Sequence, residues 1–165
     1  VALIQSYDCL PARDEAALDT EPLFDEAVHL ATRRDRPRTL ADCAEERWIS
    51  GTVGTLCDDA TVRTCENAGF TPRVRHRTDD FAAVLALVEA GQGVAVIPDL
   101  AAVDVPEAVQ LTPLEVARHT ALAYRRGAGR GDRIGPRPAS VPRALYRLRD
   151  GRIFPRQRHA RLDRL

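Results

Sequence analysis

Apolar residues along this chain fall into short blocks with two different periods. Val1-Ala-Leu-Ile4 predicts a buried strand, and Ala27-Val-His-Leu-Ala31 predicts a second one after an acidic, Pro-containing connection. Thr39 to Ala44 predicts one helical turn with Leu40 buried, and Arg47-Trp-Ile-Ser50 a short strand. The period then changes. Val53, Leu56, Cys57, Ala60, Thr64 and Ala68 fall on one helical face. Thr52 stands where a cap belongs, and Gly69 where a left-handed residue stops the helix. Phe70-Thr-Pro72 turns the chain into a strand at Arg73–Arg77. Thr78, Asp79 and Asp80 offer caps for a second helix, whose apolar face is Phe81, Val84, Leu85 and Val88 and whose stop is Gly91. Gly93-Val-Ala-Val-Ile97 is a continuous apolar strand. Apolar strands alternating with helices mark a parallel sheet covered on both faces, so Trp48 to Ile97 predicts β-α-β-α-β. Gln110-Leu111 and His119–Tyr124 predict two later strands.

The pattern changes after Tyr124, and charge changes with it. Residues 1–124 hold 11 Arg and 21 acidic residues, a net of −10; residues 125–165 hold 13 Arg and 3 Asp, a net of +10. The overall charge of +0 therefore hides an acidic body and a basic tail. Gly127, Gly129, Gly131 and Gly135, with Pro136 and Pro138, predict a flexible linker. Val141, Ala144, Leu145 and Leu148 have helical spacing and predict a short helix over 140–149, followed by an Arg-rich stretch with little to order it. Thirteen Arg supply electrostatic affinity for nucleic acid, but aromatic residues are nearly absent and no nucleic-acid-binding fold is recognisable.

Composition excludes several classes. A chain of 165 residues with 44% hydrophobic residues supports a Val, Leu, Ile and Ala core. No apolar run is long enough to span a membrane, and no leader pattern opens the sequence, so the expected location is the cytoplasm with reduced thiols. Cys9, Cys43, Cys57 and Cys65 form no CxxC pair, and the four His are scattered, so no metal or other cofactor is expected. No nucleophile–base pattern of an enzyme is present. Cys57 and Cys65 invite a thiol redox reading, but eight residues along a helix rise about 12 Å, beyond the roughly 4.4–6.8 Å of a disulfide.

Several strings resemble the LysR-type transcriptional regulators. Val1-Ala-Leu-Ile4 is similar to the family's D-L-A-I strand, and Leu40-Ala-Asp42 with Trp48-Ile49 to its dL…pwI pattern. Ala68-Gly-Phe-Thr-Pro72 resembles aGf.P, and Leu87-Val-Glu-Ala-Gly-Gln-Gly-Val-Ala-Val-Ile-Pro98 resembles lVaaGlGvallP. Glu21-Pro-Leu23 ahead of Ala27–Ala31 is a further match, while the His, Leu and Ala of the HPLA turn are absent near Arg36-Pro37. The resemblance covers residues 1 to about 125. It implies an α/β, periplasmic-binding-protein-like (type 2) two-lobe fold. In this reading 1–32 are part of the first lobe and hinge, 33–104 a complete second lobe, 105–125 the return strand, and 126–165 the tail. It also implies a small-molecule effector between the lobes, a homodimeric or tetrameric parent regulator, and DNA contact only through an N-terminal helix-turn-helix outside this chain. With part of one lobe missing, the expectation is that this chain alone binds its effector weakly or not at all. A solute-binding protein used in transport shares the fold logic and is the alternative.

Ligands of such sheets bind at the carboxyl ends of strands, where helix N-termini converge. Ser50, Gly51 and Thr52 stand at one such place. Gly51 permits close backbone approach, and free N–H groups favour an anion. Thr78 stands at a second, where Asp79 and Asp80 read as caps that would repel an acidic effector. Ile97 and Pro98 lie where the strand leaves toward the hinge. Tyr7, in a loop Gln5-Ser-Tyr7 after the first strand, either closes over a ligand or lies on the surface.

Overall fold

A computed structural model describes residues 2–12, 17–126, 146–149 and 152–155. Backbone contacts divide the chain into two units, at Arg126/Gly127. In the first unit, one six-stranded sheet carries everything else. Its strands are β1 (Ala2–Tyr7), β2 (Leu18–Arg33), β3 (Arg47–Ser50), β4 (Arg73–Arg77), β5 (Val94–Pro98) and β6 (Val109–Arg125), and the order across the sheet is β1-β6-β2-β5-β3-β4. Helix α1 (Leu56–Asn67) joins β3 to β4, and α2 (Phe81–Glu89) joins β4 to β5. β3 pairs parallel with both β4 and β5, so the predicted β-α-β-α-β run is present.

The strand residues alternate between two cores. Leu30, Trp48 and Val94 face α1 together with Cys43 and Cys65. Their sequence neighbours Ala31, Ile49 and Ala95, with Ile97, face Val84, Leu85 and Val88 of α2. Each such side chain taken from water contributes about 1.5–3 kcal/mol if it is a large aliphatic. Trp48 is fully buried, and its indole N–H donates to the Cys43 carbonyl at 3.1 Å, so its one polar atom is satisfied. Cys43 belongs to a single 3-10 turn, Ala41–Cys43, where the sequence predicted a helical turn; Cys43, and not the half-buried Leu40, is its buried residue.

The strands at the other side depart from expectation. β2 has 16 residues and β6 has 17, roughly 50 Å of chain each at about 3.3 Å per residue. They pair antiparallel along their whole length. The stretch read as an acidic connection is thus strand from Leu18 onward, and the two later strands are one. Pro22 and Pro113 are tolerated because each lies where its strand has a neighbour on one side only. β1 is a strand but not a buried one: it is the sheet's edge, and Leu3 is 67% exposed.

α1 also starts later than the periodicity implied. A turn closed by the Thr55 N–H on the Thr52 carbonyl (3.0 Å) precedes it, with Gly54 at φ +80°. Thr55, not Thr52, is the N-cap. Val53 therefore lies outside the helix and is exposed, and the buried face is Asp58, Ala60, Thr61, Thr64 and Cys65. Asp80 caps α2 as one of the three predicted caps. Gly69 and Gly91 both take positive φ where the helices stop.

In the second unit, β7 (Tyr146–Arg149) and β8 (Arg152–Pro155) pair antiparallel. Residues 146–149 are strand where a helix over 140–149 was expected: Leu148 and its neighbours have a cross-strand partner that helical spacing did not reveal. The remainder of that helix, the linker glycines and most of the Arg-rich stretch lie outside the described residues.

Candidate functional site

The carboxyl ends of β3, β4 and β5 lie side by side. Ser50 ends β3 and Arg77 ends β4, and the Thr78 N–H donates to the Ser50 carbonyl at 3.0 Å, tying the two following loops together. Ser50 is buried, and its hydroxyl donates to Asp58 Oδ1 at 2.7 Å. The same oxygen accepts from Arg77 Nη1 at 2.8 Å, and that nitrogen also donates to the Gly51 carbonyl at 2.8 Å. Asp58 is thus a buried carboxylate satisfied by a hydroxyl and a guanidinium, as a buried charge must be.

Gly51 is confined. A Cβ there would meet Thr55 Oγ1 at 2.7 Å and Asp79 Oδ1 at 3.1 Å, so a larger residue forces both away. Next to it, Thr52 is exposed and holds a carboxylate by two donors. Its N–H donates to Asp79 Oδ1 at 2.9 Å and its hydroxyl to Oδ2 at 2.6 Å. The Thr52 hydroxyl and then its N–H hold the Asp79 carboxyl below its ordinary value of 3.8. The Thr78 hydroxyl accepts from the Asp80 N–H at 3.2 Å. So Ser50, Gly51, Thr52 and Thr78 come together. Ile97 and Pro98 end the adjacent β5 but are fully buried, so they wall the core beneath the loops and do not face open space.

Tyr7 is in neither the loop nor the surface position expected of it. It ends strand β1, not a loop, and is 4% exposed, so it is not a surface residue. Its hydroxyl lies 3.8 Å from Cys57 Sγ in the first turn of α1. Burial pushes its phenol up from 10.0, the Cys57 thiol adds to this, and Arg118 opposes it. Tyr7 lines a groove of about 670 Å³ between β1 and α1, with Ile4, Ser6, Leu56, Arg63 and His119 among its other walls. Of the seven residues singled out from sequence, Tyr7 alone lines it.

The family model described as LysR substrate binding domain matches residues 6–134. This chain belongs to the LysR substrate-binding domain family. Its curated relatives include the transcriptional dual regulator GltC of Bacillus subtilis, 28% identical over 83 residues, and the malonate utilization transcriptional regulator of Klebsiella pneumoniae, 31% identical over 91 residues. These alignments take in 47% and 52% of this chain and 28% and 30% of those proteins, so the chain spans under a third of either relative. Among solved structures, a Corynebacterium glutamicum OxyR C206 mutant superposes with a TM-score of 0.62 at 20% identity, over 76% of this chain and 42% of that one. The Synechocystis PCC6803 CcmR regulatory domain in complex with 2-PG gives 0.59 at 20% identity, over 74% and 64%. The fold is that of LysR regulatory domains, a type 2 periplasmic-binding-protein-like α/β architecture, here a partial domain. The relatives that carry this domain are transcriptional regulators.

Among the described residues, no group of three or more His, Cys, Asp or Glu could hold a metal, and no helix is long and apolar enough to cross a membrane. Helix α1 is continuous through Cys57 and Cys65, and all four cysteines are free. Sequence reading missed Asp58, Arg77, Glu26 and Arg118, which are polar centres built by distant partners. No periodicity signal marked Asp58, which lies off the predicted face of Val53, Leu56, Cys57, Ala60, Thr64 and Ala68.

Proposed function

We propose that this LysR domain senses a small anionic metabolite at the carboxyl ends of β3 and β4, and that its binding changes transcription through the DNA-reading part of a longer regulator. The observation that carries this reading is the bidentate hold of Thr52 on Asp79. A backbone N–H and a hydroxyl, both exposed and aimed at one carboxylate, form a receptor for any group of that geometry. The Asp79 carboxylate fills it, so an effector carboxylate or phosphate binds by taking its place. Ser50 and Gly51 position the receptor through Asp58 and Arg77, Thr78 adds the neighbouring loop, and Ile97 and Pro98 wall the core beneath it, while Tyr7 stands apart in the groove between β1 and α1. Two relatives support the class of function. The CcmR regulatory domain was solved with 2-PG, and full-length CbnR was solved with its target DNA. In the same reading the parent is a cytoplasmic homodimer or tetramer.

The test is a titration of the full 165-residue chain with acetate and with inorganic phosphate, using glycerol as the neutral control, read by amide NMR shifts. Gly51, Thr52 and Thr78 shift saturably with the anions and not with glycerol, and Asp79→Asn tightens the anion response. Absence of a saturable shift with either anion, in both wild type and D79N, sinks the reading.

A further inference from the structure

The register of β2 against β6 breaks twice, between Pro22 and Phe24 and between Ala27 and His29. Leu23 is the extra residue on β2 at the first break. At the second, Leu114–Val116 on β6 stand against Val28 alone. Between the breaks, Phe24–Ala27 keep regular pairing with Ala117–Thr120. A bulge bends its strand and raises the local twist. Two bulges on opposite strands therefore isolate a four-residue segment. Beyond it on one side runs an outer ribbon, Ala2–Ile4 of β1 with the paired ends of β2 and β6, while Gln5–Tyr7 pair with the segment itself; on the other lies the body containing both helices.

That segment holds a buried ion pair. Glu26 and Arg118 face each other across the strands and are 7% and 6% exposed. Arg118 Nε and Nη2 lie 2.7 and 2.6 Å from Glu26 Oε1. The other carboxylate oxygen accepts the Leu100 N–H at 2.7 Å, from the 3-10 turn that follows β5. On the outer side, Tyr7 of β1 is the cross-strand neighbour of Arg118. The pair thus has one connection to β1, which continues into the ribbon, and one to the body. The second pair in the segment, His119 with Asp25 at 2.7 Å, is exposed and counts for little. An ion pair this buried is a poor way to gain stability, since apolar residues of similar volume do as well. Its geometry, fixed by two directed hydrogen bonds and a second guanidinium contact, defines an angle.

We propose that Glu26–Arg118 is a latch that sets the angle between the outer ribbon and the α/β body, at the hinge marked by the two register breaks. An effector bound at the Gly51–Thr52 turn that displaces the ribbon works against this latch. The inference deepens the sensing role proposed above and rests on it for its use, but the latch can fail alone.

The experiment places nitroxide labels, through an unnatural amino acid that spares the native thiols, at exposed Leu3 on β1 and exposed Glu89 on α2. Double electron–electron resonance then reads their distance in the full chain. Wild type gives one narrow distribution. Arg118→Lys, and the apolar pair Glu26→Leu with Arg118→Met, broaden it or move its maximum while cooperative melting is retained. Hydrogen exchange at Phe24–Ala27 and Ala117–Thr120 rises in R118K. A distribution as narrow as wild type in both variants, with unchanged exchange, overturns the latch. Anion titration of R118K at Thr52 is run beside it: intact binding with an unmoved hinge removes the latch and leaves the sensing role standing.

Discussion

Asp79 stands one position before the cap of α2, yet its carboxylate reaches across to Thr52. A residue read as a cap from its position in the sequence is the ligand of another loop. Asp58 shows the same kind of long-range satisfaction inside the core. Asp58→Ala strands the buried Ser50 hydroxyl and one guanidinium, and a loss of about 1–3 kcal/mol is expected from unsatisfied buried groups, measured by urea unfolding. The thiols make a second residue-scale prediction. Burial pushes Cys43 from 9.0 to about 11 and Cys65 from 9.0 to about 12. A group whose folded value is raised contributes stability that is fully present below its unfolded value and lost as pH rises through the folded one. The urea midpoint therefore falls as pH rises from 9 toward 12, and Cys65→Val flattens that fall. At pH 8 a thiol reagent modifies half-buried Cys57 before Cys43 and Cys65; equal rates at all three would contradict the burial.

At the scale of elements, the two helices teach opposite lessons. α2 was legible because its buried face, Val84, Leu85 and Val88, is wholly apolar. α1 was misplaced by a turn because its buried face includes Asp58 and Thr61, whose polarity is cancelled by partners that periodicity does not see. Thr61 donates to the Cys57 carbonyl at 2.8 Å, and Thr64 to Cys9 Sγ at 3.8 Å. Of the parallel strands, β5 was legible as a continuous apolar run. The long antiparallel strands were not, because half of each has a single neighbour and tolerates Pro22, Pro113 and many charges. The candidate site was legible in its loops, Ser50 to Thr52 and Thr78, but not in the carboxylates and the guanidinium that hold them. Two glycines separate the causes of glycine use. Gly69 sits at φ +92° with open space around it, so Gly69→Ala costs only the left-handed strain of about 1–2 kcal/mol. Gly93 has no such φ, but a Cβ there would stand 2.5 Å from the Arg47 carbonyl oxygen and 3.3 Å from Ile49 Cγ1. A backbone carbonyl inside a strand cannot yield cheaply. Gly93→Ala is expected to lower the melting temperature more than Gly69→Ala, and the reverse order would mean that β3 moves aside.

At the scale of the molecule, the described unit ends on one side in a protected strand and on the other in an open one. β4 is an edge too, but four of its five residues are Arg or His, and like charges along an edge discourage pairing with another chain. β1 reads Ala-Leu-Ile-Gln-Ser-Tyr, with no charge and no Pro to block addition, and Leu3 projects into solvent. Its outer N–H and C=O groups have no strand beside them among the described residues. An uncharged, apolar edge of six residues is a template for a further strand. In the isolated chain the commonest available strand is another copy of itself, and antiparallel pairing of two β1 segments brings Leu3 of each near Ser6 of the other. Self-association that grows with concentration is therefore expected by analytical ultracentrifugation. Leu3→Glu places two carboxylates at that seam and is expected to shift the equilibrium toward monomer without lowering the melting temperature, because the side chain it replaces is already in water. Unchanged association in L3E would show that another surface joins the copies and that β1 is masked in solution.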